Sequence, residues 1–148
     1  RDSPVTGVQT CALPILVFLV KNPDVVGLQK IGPLLEHSDL FPEGVNVGLA
    51  KVTGDDSIKL RVWERGAGET SACGSAACAA LVTSCRAGVT GRSAVVELPG
   101  GPVGVLWRDD NHILLSGSAQ TVYQGNFEIA PLLRGLMSKL AAEGDGHH

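Results

Sequence analysis

The chain has 148 residues, 44% hydrophobic and 18% charged, with a formal net charge of −3. That is the composition of one globular domain able to bury a core, and not of a disordered chain. No Lys/Arg cluster stands out and aromatics are only 4%, which argues against nucleic acid, an anionic membrane surface or a stacking platform for single strands as partners.

Residues 5–15, VTGVQTCALPI, resemble the translation of a short-read sequencing adapter along their whole length, so residues 1–15 are expected to be non-native and the native reading to begin near Leu16. Residues 16–20 are apolar and rich in β-formers, the signature of a buried strand. The whole apolar run, residues 13–20, is too short to span a bilayer and has no small-residue cleavage site after it, so a cytoplasmic protein is expected. Asn22-Pro23-Asp24 is turn chemistry with Asp24 as the expected N-cap, and Leu28, Ile31, Leu34 and Leu35 follow at helical spacing. Pro33 inside that pattern predicts a kink or an early stop. Val45, Val47 and Leu49 alternate with smaller or polar residues, as do Ile58, Leu60 and Val62, predicting two half-buried strands joined at Gly54-Asp55-Asp56 as a hairpin.

Residues 66–75 read as a Gly/Ala/Ser-rich loop. The small residues over 75–86 predict a helix, apolar nearly all round and buried in the core, with Gly88 as a left-handed cap. Strands are expected at 94–98, 103–107, 113–116 and 121–127, and an amphipathic helix is expected from Ile129, Leu132, Leu133, Leu136, Met137 and Leu140. The predicted fold is α+β, a mostly antiparallel sheet wrapped around a buried central helix.

Chemistry concentrates in residues 64–75, ERGAGETSACGS. A strand ends in Glu64-Arg65, a glycine-rich loop follows, and Cys73 stands just before a helix. The free N–H groups of a helix start attract an anion, Gly74 permits close approach, and Arg65 offers a bidentate clamp, so a substrate carboxylate fits there with the thiol beside its Cα. Each piece also has a plainer reading. A Cys among small residues is more often core packing, which suits Cys78 and Cys85, seven apart on one helix face and expected to be buried. Glu64 and Arg65 could be a surface ion pair. The cysteines match neither a disulfide framework nor a zinc site, and no histidine stands at metal-ligand spacing. A Cys–His hydrolase would need His37 or His112, both in turn-like contexts.

The stretch ERGAGETSACGSAACA, with FPEGVNV upstream and VELPGG downstream, resembles the diaminopimelate epimerases from about Leu16 to Phe127. The resemblance implies a protein of two similar halves with the site between them. It also implies two cysteines on opposite faces of the substrate Cα, no pyridoxal phosphate and no metal. Residues 16–128 are then the C-terminal half, and 129–148 a helix and tail without an assigned role. Cys73 is the implied catalytic cysteine. Asn46, Glu64 and Arg65 are implied to contact the amino-acid substrate, and Gly74 and Ser75 to supply backbone N–H groups. The implied partners are a missing N-terminal domain and a second copy in a homodimer of the complete enzyme. Two departures stand out: the first cysteine is absent, and Leu13-Pro14-Ile15 replaces an Asn-Pro-His motif. Hence the expectation is a fragment, inactive alone and prone to self-association, with Cys73 open to alkylation. The alternatives are an isomerase of the same fold acting on another substrate (proline-racemase-like or phenazine-biosynthesis-like) and a non-catalytic binding or assembly domain.

Overall fold

The computed structural model describes residues 14–126, 128–130 and 133–134, which fall in two units, Arg1–Ser118 and Ala119–His148. The first unit runs β1 (Ile15–Leu19), a 3-10 turn (Pro23–Val25), α1 (Leu28–Glu36), β2 (Asn46–Gly54), β3 (Ser57–Glu64), β4 (Gly68–Thr70), α2 (Gly74–Arg86), β5 (Ser93–Leu98), β6 (Gly101–Trp107) and β7 (Ile113–Ser116). The strands form one sheet in the order β1-β2-β3-β5-β6-β7, and β4 pairs with β3. Pairs β2–β3, β3–β4, β5–β6 and β6–β7 are antiparallel, whereas β1–β2 and β3–β5 are parallel. The two parallel pairs arise where α1 and α2 carry the chain back to the same end of the sheet. The fold is therefore α+β with a mostly antiparallel sheet, as the sequence predicts.

The period of two decides what each strand buries. Ile58, Leu60 and Val62 of β3 point to α2 and are fully buried with Ala76, Ala77, Ala80 and Leu81. Val47 and Leu49 of β2 point the other way, to α1, and pack with Leu28 and Val45. Each large side chain buried this way contributes about 1.5–3 kcal/mol. β2 differs from the expectation of a half-buried strand, because residues 46–50 are buried on both faces. Its α2-facing residues are small, and a Cβ on Gly48 would already touch Leu60 at 3.4 Å.

α2 is covered by the sheet on one side only. Ala76, Ala77, Ala80, Leu81 and Ser84 are buried, while Cys78, Ala79, Val82, Thr83 and Cys85 are half-buried, so the helix is not enclosed all round and the two cysteines are not fully buried. Its end follows the prediction. Gly88 takes φ +72°, its N–H bonds the Cys85 carbonyl at 3.0 Å, and Val89 N–H bonds the Ser84 carbonyl at 3.1 Å, a Schellman closure.

α1 continues through Pro33 and stops at Glu36. Its apolar face is narrower than the spacing predicts, since Leu34 is 74% exposed. Asp24 is not the N-cap: Asn22 Oδ1 accepts from Asp24 N at 3.0 Å and caps the 3-10 turn, and Asp24 pairs with Lys59. Gly27, with no side-chain bond, precedes α1.

In the second unit, residues 121–126 form no strand. Val122 and Tyr123 are exposed, and β-propensity alone does not make a strand. Ile129, Ala130, Leu133 and Arg134 are helical, in line with the predicted C-terminal helix, and its remaining apolar positions lie outside the described residues.

Candidate active site

β3 delivers Glu64 to a sharp corner. The chain turns through Gly66 (φ +73°) and Gly68 (φ +83°) and runs back as β4, pairing Glu64 with Gly68 and Val62 with Thr70. Positive φ is the reason glycine occupies these two positions. β4 thus replaces part of the loop expected over residues 66–75, a difference that arises because the upper edge of β3 is open for pairing.

Two buried side chains hold this corner by its backbone. Asn46 Oδ1 accepts from Arg65 N at 2.8 Å, and Glu36 Oε1 accepts from Gly66 N at 2.9 Å. Glu36 Oε2 also accepts from the Trp63 indole N–H at 2.7 Å. Asn46 is 5% exposed and Glu36 6%. The Trp63 indole holds the Glu36 carboxyl below the usual carboxylate range, against the upward pull of burial, and the Gly66 N–H adds to the effect. Sequence reasoning missed Glu36, because its partners lie 27 and 30 residues downstream.

Glu64 and Arg65 do not pair with each other among the described residues. Thr70 Oγ1 donates to Glu64 Oε1 at 2.5 Å. The Arg65 guanidinium donates to the Glu43 carbonyl, and its methylenes lie over Gly44, where an added Cβ would sit 2.5 Å from Arg65 Cδ. Next to the corner, Arg61 pairs with Glu69 at 2.7 Å and donates to the Pro23 and Val26 carbonyls, tying β3 and β4 to the 3-10 turn.

Cys73 is the N-cap of α2, with extended backbone (φ −149°, ψ 104°), and its carbonyl accepts the first helical bond from Ala77 N at 3.1 Å. No side chain caps this end and no acidic residue occupies the first turn. The N–H groups of Gly74, Ser75 and Ala76 therefore carry no hydrogen bond among the described residues, leaving the positive end of the helix for an anion. The Cys73 thiol lies 3.4 Å from Ser75 Oγ. It is 7% exposed and packs into the α2 core, so the expectation of a Cys73 open to alkylation is not met. A Cβ on Gly74 would stand 2.8 Å from Cδ2 of Leu115 in β7, the far end of an exposed, flexible side chain that can turn aside. The segment before Cys73 is tied down by the β5–β6 turn: Gly100 N donates to the Ser71 carbonyl at 2.7 Å, and a Cβ on Gly100 would collide with it.

Burial, and secondarily Cys73, pushes the Cys78 thiol up, which favours its neutral form. His37 ends α1 and His112 lies beside Asp110 in the β6–β7 turn, both exposed and neither bonded to a cysteine among the described residues.

The diaminopimelate epimerase family profile matches residues 8–122. The chain belongs to the diaminopimelate epimerase family. It is 53% identical over 133 residues to the diaminopimelate epimerase of Brucella canis, covering 87% of this chain and 44% of that protein. The diaminopimelate epimerase of Methylobacterium sp. strain 4-46 is 48% identical over 130 residues, 85% of this chain and 44% of the relative. The chain thus spans less than half the length of these relatives. Among solved structures it is similar to a Bacillus anthracis phenazine biosynthesis protein of the PhzF family, with TM-score 0.47 and 13% identity over 67% of this chain and 33% of that one. A Clostridium difficile phenazine biosynthesis protein has TM-score 0.46 and 20% identity, over 63% and 33%. Among the described residues no helix is long and apolar enough to cross a membrane.

Proposed function

We propose that this chain carries one half of a diaminopimelate epimerase site, with Cys73 as the acid/base group for one face of the substrate Cα. The observation that carries the reading is the placement of Cys73 as N-cap of an uncapped helix, followed by three N–H groups without partners among the described residues. The substrate carboxylate binds those N–H groups, at Gly74 and Ser75. Asn46, whose amide nitrogen makes no hydrogen bond among the described residues, and Glu64 and Arg65 hold the amino-acid backbone.

Inversion needs a proton taken from one face and given to the other. The thiolate takes the Cα proton: the C–H bond breaks, an S–H bond forms, and the electron pair passes to Cα and its carboxylate. The helix-start N–H groups stabilise the charge that develops there. A thiol on the opposite face then gives its proton to Cα. One cysteine serves one face, so the second thiol comes from the portion of the relatives that this chain does not span. The 148-residue chain alone is accordingly inactive.

The test joins this chain to the N-terminal half of the Brucella relative and follows interconversion of LL- and meso-diaminopimelate. Activity that is lost in Cys73→Ser supports the reading. Activity retained in Cys73→Ser, or epimerisation by the isolated chain, removes it. The deep burial of Cys73 favours a second reading, a binding or assembly domain that keeps the fold. The same Cys73→Ser comparison separates the two.

A further inference from the structure

The corner that presents Glu64 and Arg65 is held from beneath by a carboxylate with no part in the proposed chemistry. Glu36 ends α1 and is almost fully buried, yet it pairs with no cation among the described residues. Its two oxygens are divided between two donors on either side of the corner: the Trp63 indole before it, at 2.7 Å, and the Gly66 backbone N–H after it, at 2.9 Å. Burying a carboxylate is costly unless its charge is met by hydrogen bonds, and here both donors are aimed at it. Trp63 in turn is fixed against Gly32 of α1, where a Cβ would stand 2.4 Å from the ring.

We propose that Glu36 is a positioning residue: its carboxylate clamps Trp63 and Gly66 and so sets the Glu64-Arg65 pair in register for the substrate. The part that concerns substrate rests on the functional reading above. The clamp needs both oxygens. Glutamine offers one carbonyl oxygen and turns its NH2 toward the other donor, so Glu36→Gln opens one arm at nearly constant volume, and Glu36→Ala opens both.

The experiment uses the 15N-labelled 148-residue chain. Backbone amide exchange is followed at Arg65 and Gly66, the indole N–H at Trp63, and Leu49, Leu60 and Val96 report the core. The clamp predicts that Glu36→Gln releases one arm, either Gly66, whose exchange becomes about tenfold faster, or Trp63, whose indole resonance is displaced, with the core amides unchanged. Glu36→Ala goes further in the same direction. If it fails to fold, Glu36→Gln decides. Unchanged exchange at Gly66 together with an unmoved Trp63 indole resonance, or acceleration shared equally with the core, overturns the proposal. Titration with meso-diaminopimelate, with the chain joined to the N-terminal half of the Brucella relative as the parent, separates this proposal from the functional reading. Saturable shifts at Glu64, Arg65 and Gly74 in the parent chain, with a midpoint several-fold higher in Glu36→Gln, support both. The same shifts with an unmoved midpoint overturn the positioning role and leave the functional reading standing. No saturable shift in the parent removes Glu64 and Arg65 as substrate contacts, and the clamp itself is then judged on exchange alone.

Discussion

The side-chain oxygen of Asn46 accepts the backbone N–H of Arg65 at 2.8 Å, joining the first residue of β2 to the residue that follows β3. The bond ties one implied substrate contact to the backbone of another. It predicts that two substitutions at one position separate support from recognition. Asn46→Ala leaves a buried N–H unpaired and costs about 1–3 kcal/mol, read as a lower urea midpoint with an unchanged slope. Asn46→Asp keeps the acceptor and loses the amide donor. It retains more of the stability but abolishes binding of diaminopimelate by calorimetry. Equal stability loss in the two variants would contradict this division.

Gly32 reverses a usual rule. In an exposed helix interior, Gly→Ala gains about 0.5–1 kcal/mol. Here the new methyl would sit 2.4 Å from the Trp63 ring, which cannot swing away without leaving Glu36. Gly32→Ala should therefore lower the melting temperature and change the near-UV signal of Trp63. A variant as stable as the parent would show that α1 shifts freely against β3.

The pH dependence of stability follows from Glu36. Its folded carboxyl titrates below the usual range, so the unfolded chain binds the proton more readily as pH falls. The contribution is complete above the unfolded value of about 4.3 and is lost as pH drops through the folded value. His37 and Arg65 act in the same direction. Between pH 6 and pH 3 the urea midpoint should fall more in the parent than in Glu36→Gln. Parallel curves would mean that the clamp carries no charge-linked stability.

Cysteine labelling offers a direct check on the placement of α2. Cys78 and Cys85 are both half-buried, but burial and the neighbouring Cys73 hold Cys78 in its thiol form. Iodoacetamide at neutral pH should modify Cys85 before Cys78, and Cys78 should gain rate as pH rises. Peptide mass spectrometry reads the order. Faster modification of Cys78 would mean that the helix is rotated from the position described.

Elements whose signals are local were legible from the residues alone. Alternation in residues 58–62, the Gly88 cap and the small residues of α2 each act within one element, and all are realised. The motif around Cys73 was equally legible, since an uncapped helix start after a glycine loop is a local property. Tertiary structure decided what depends on partners distant in the chain. The sheet gave β2 a second buried face and let β4 form on the open edge of β3. Glu36 belongs to this second class. At the end of a helix it reads as an ordinary solvated charge, and only packing of α1 against β3 brings the Trp63 and Gly66 donors to it. A hydrogen bond across 30 residues leaves no periodic trace in the sequence, because its cause is the meeting of two elements and not the pattern of either.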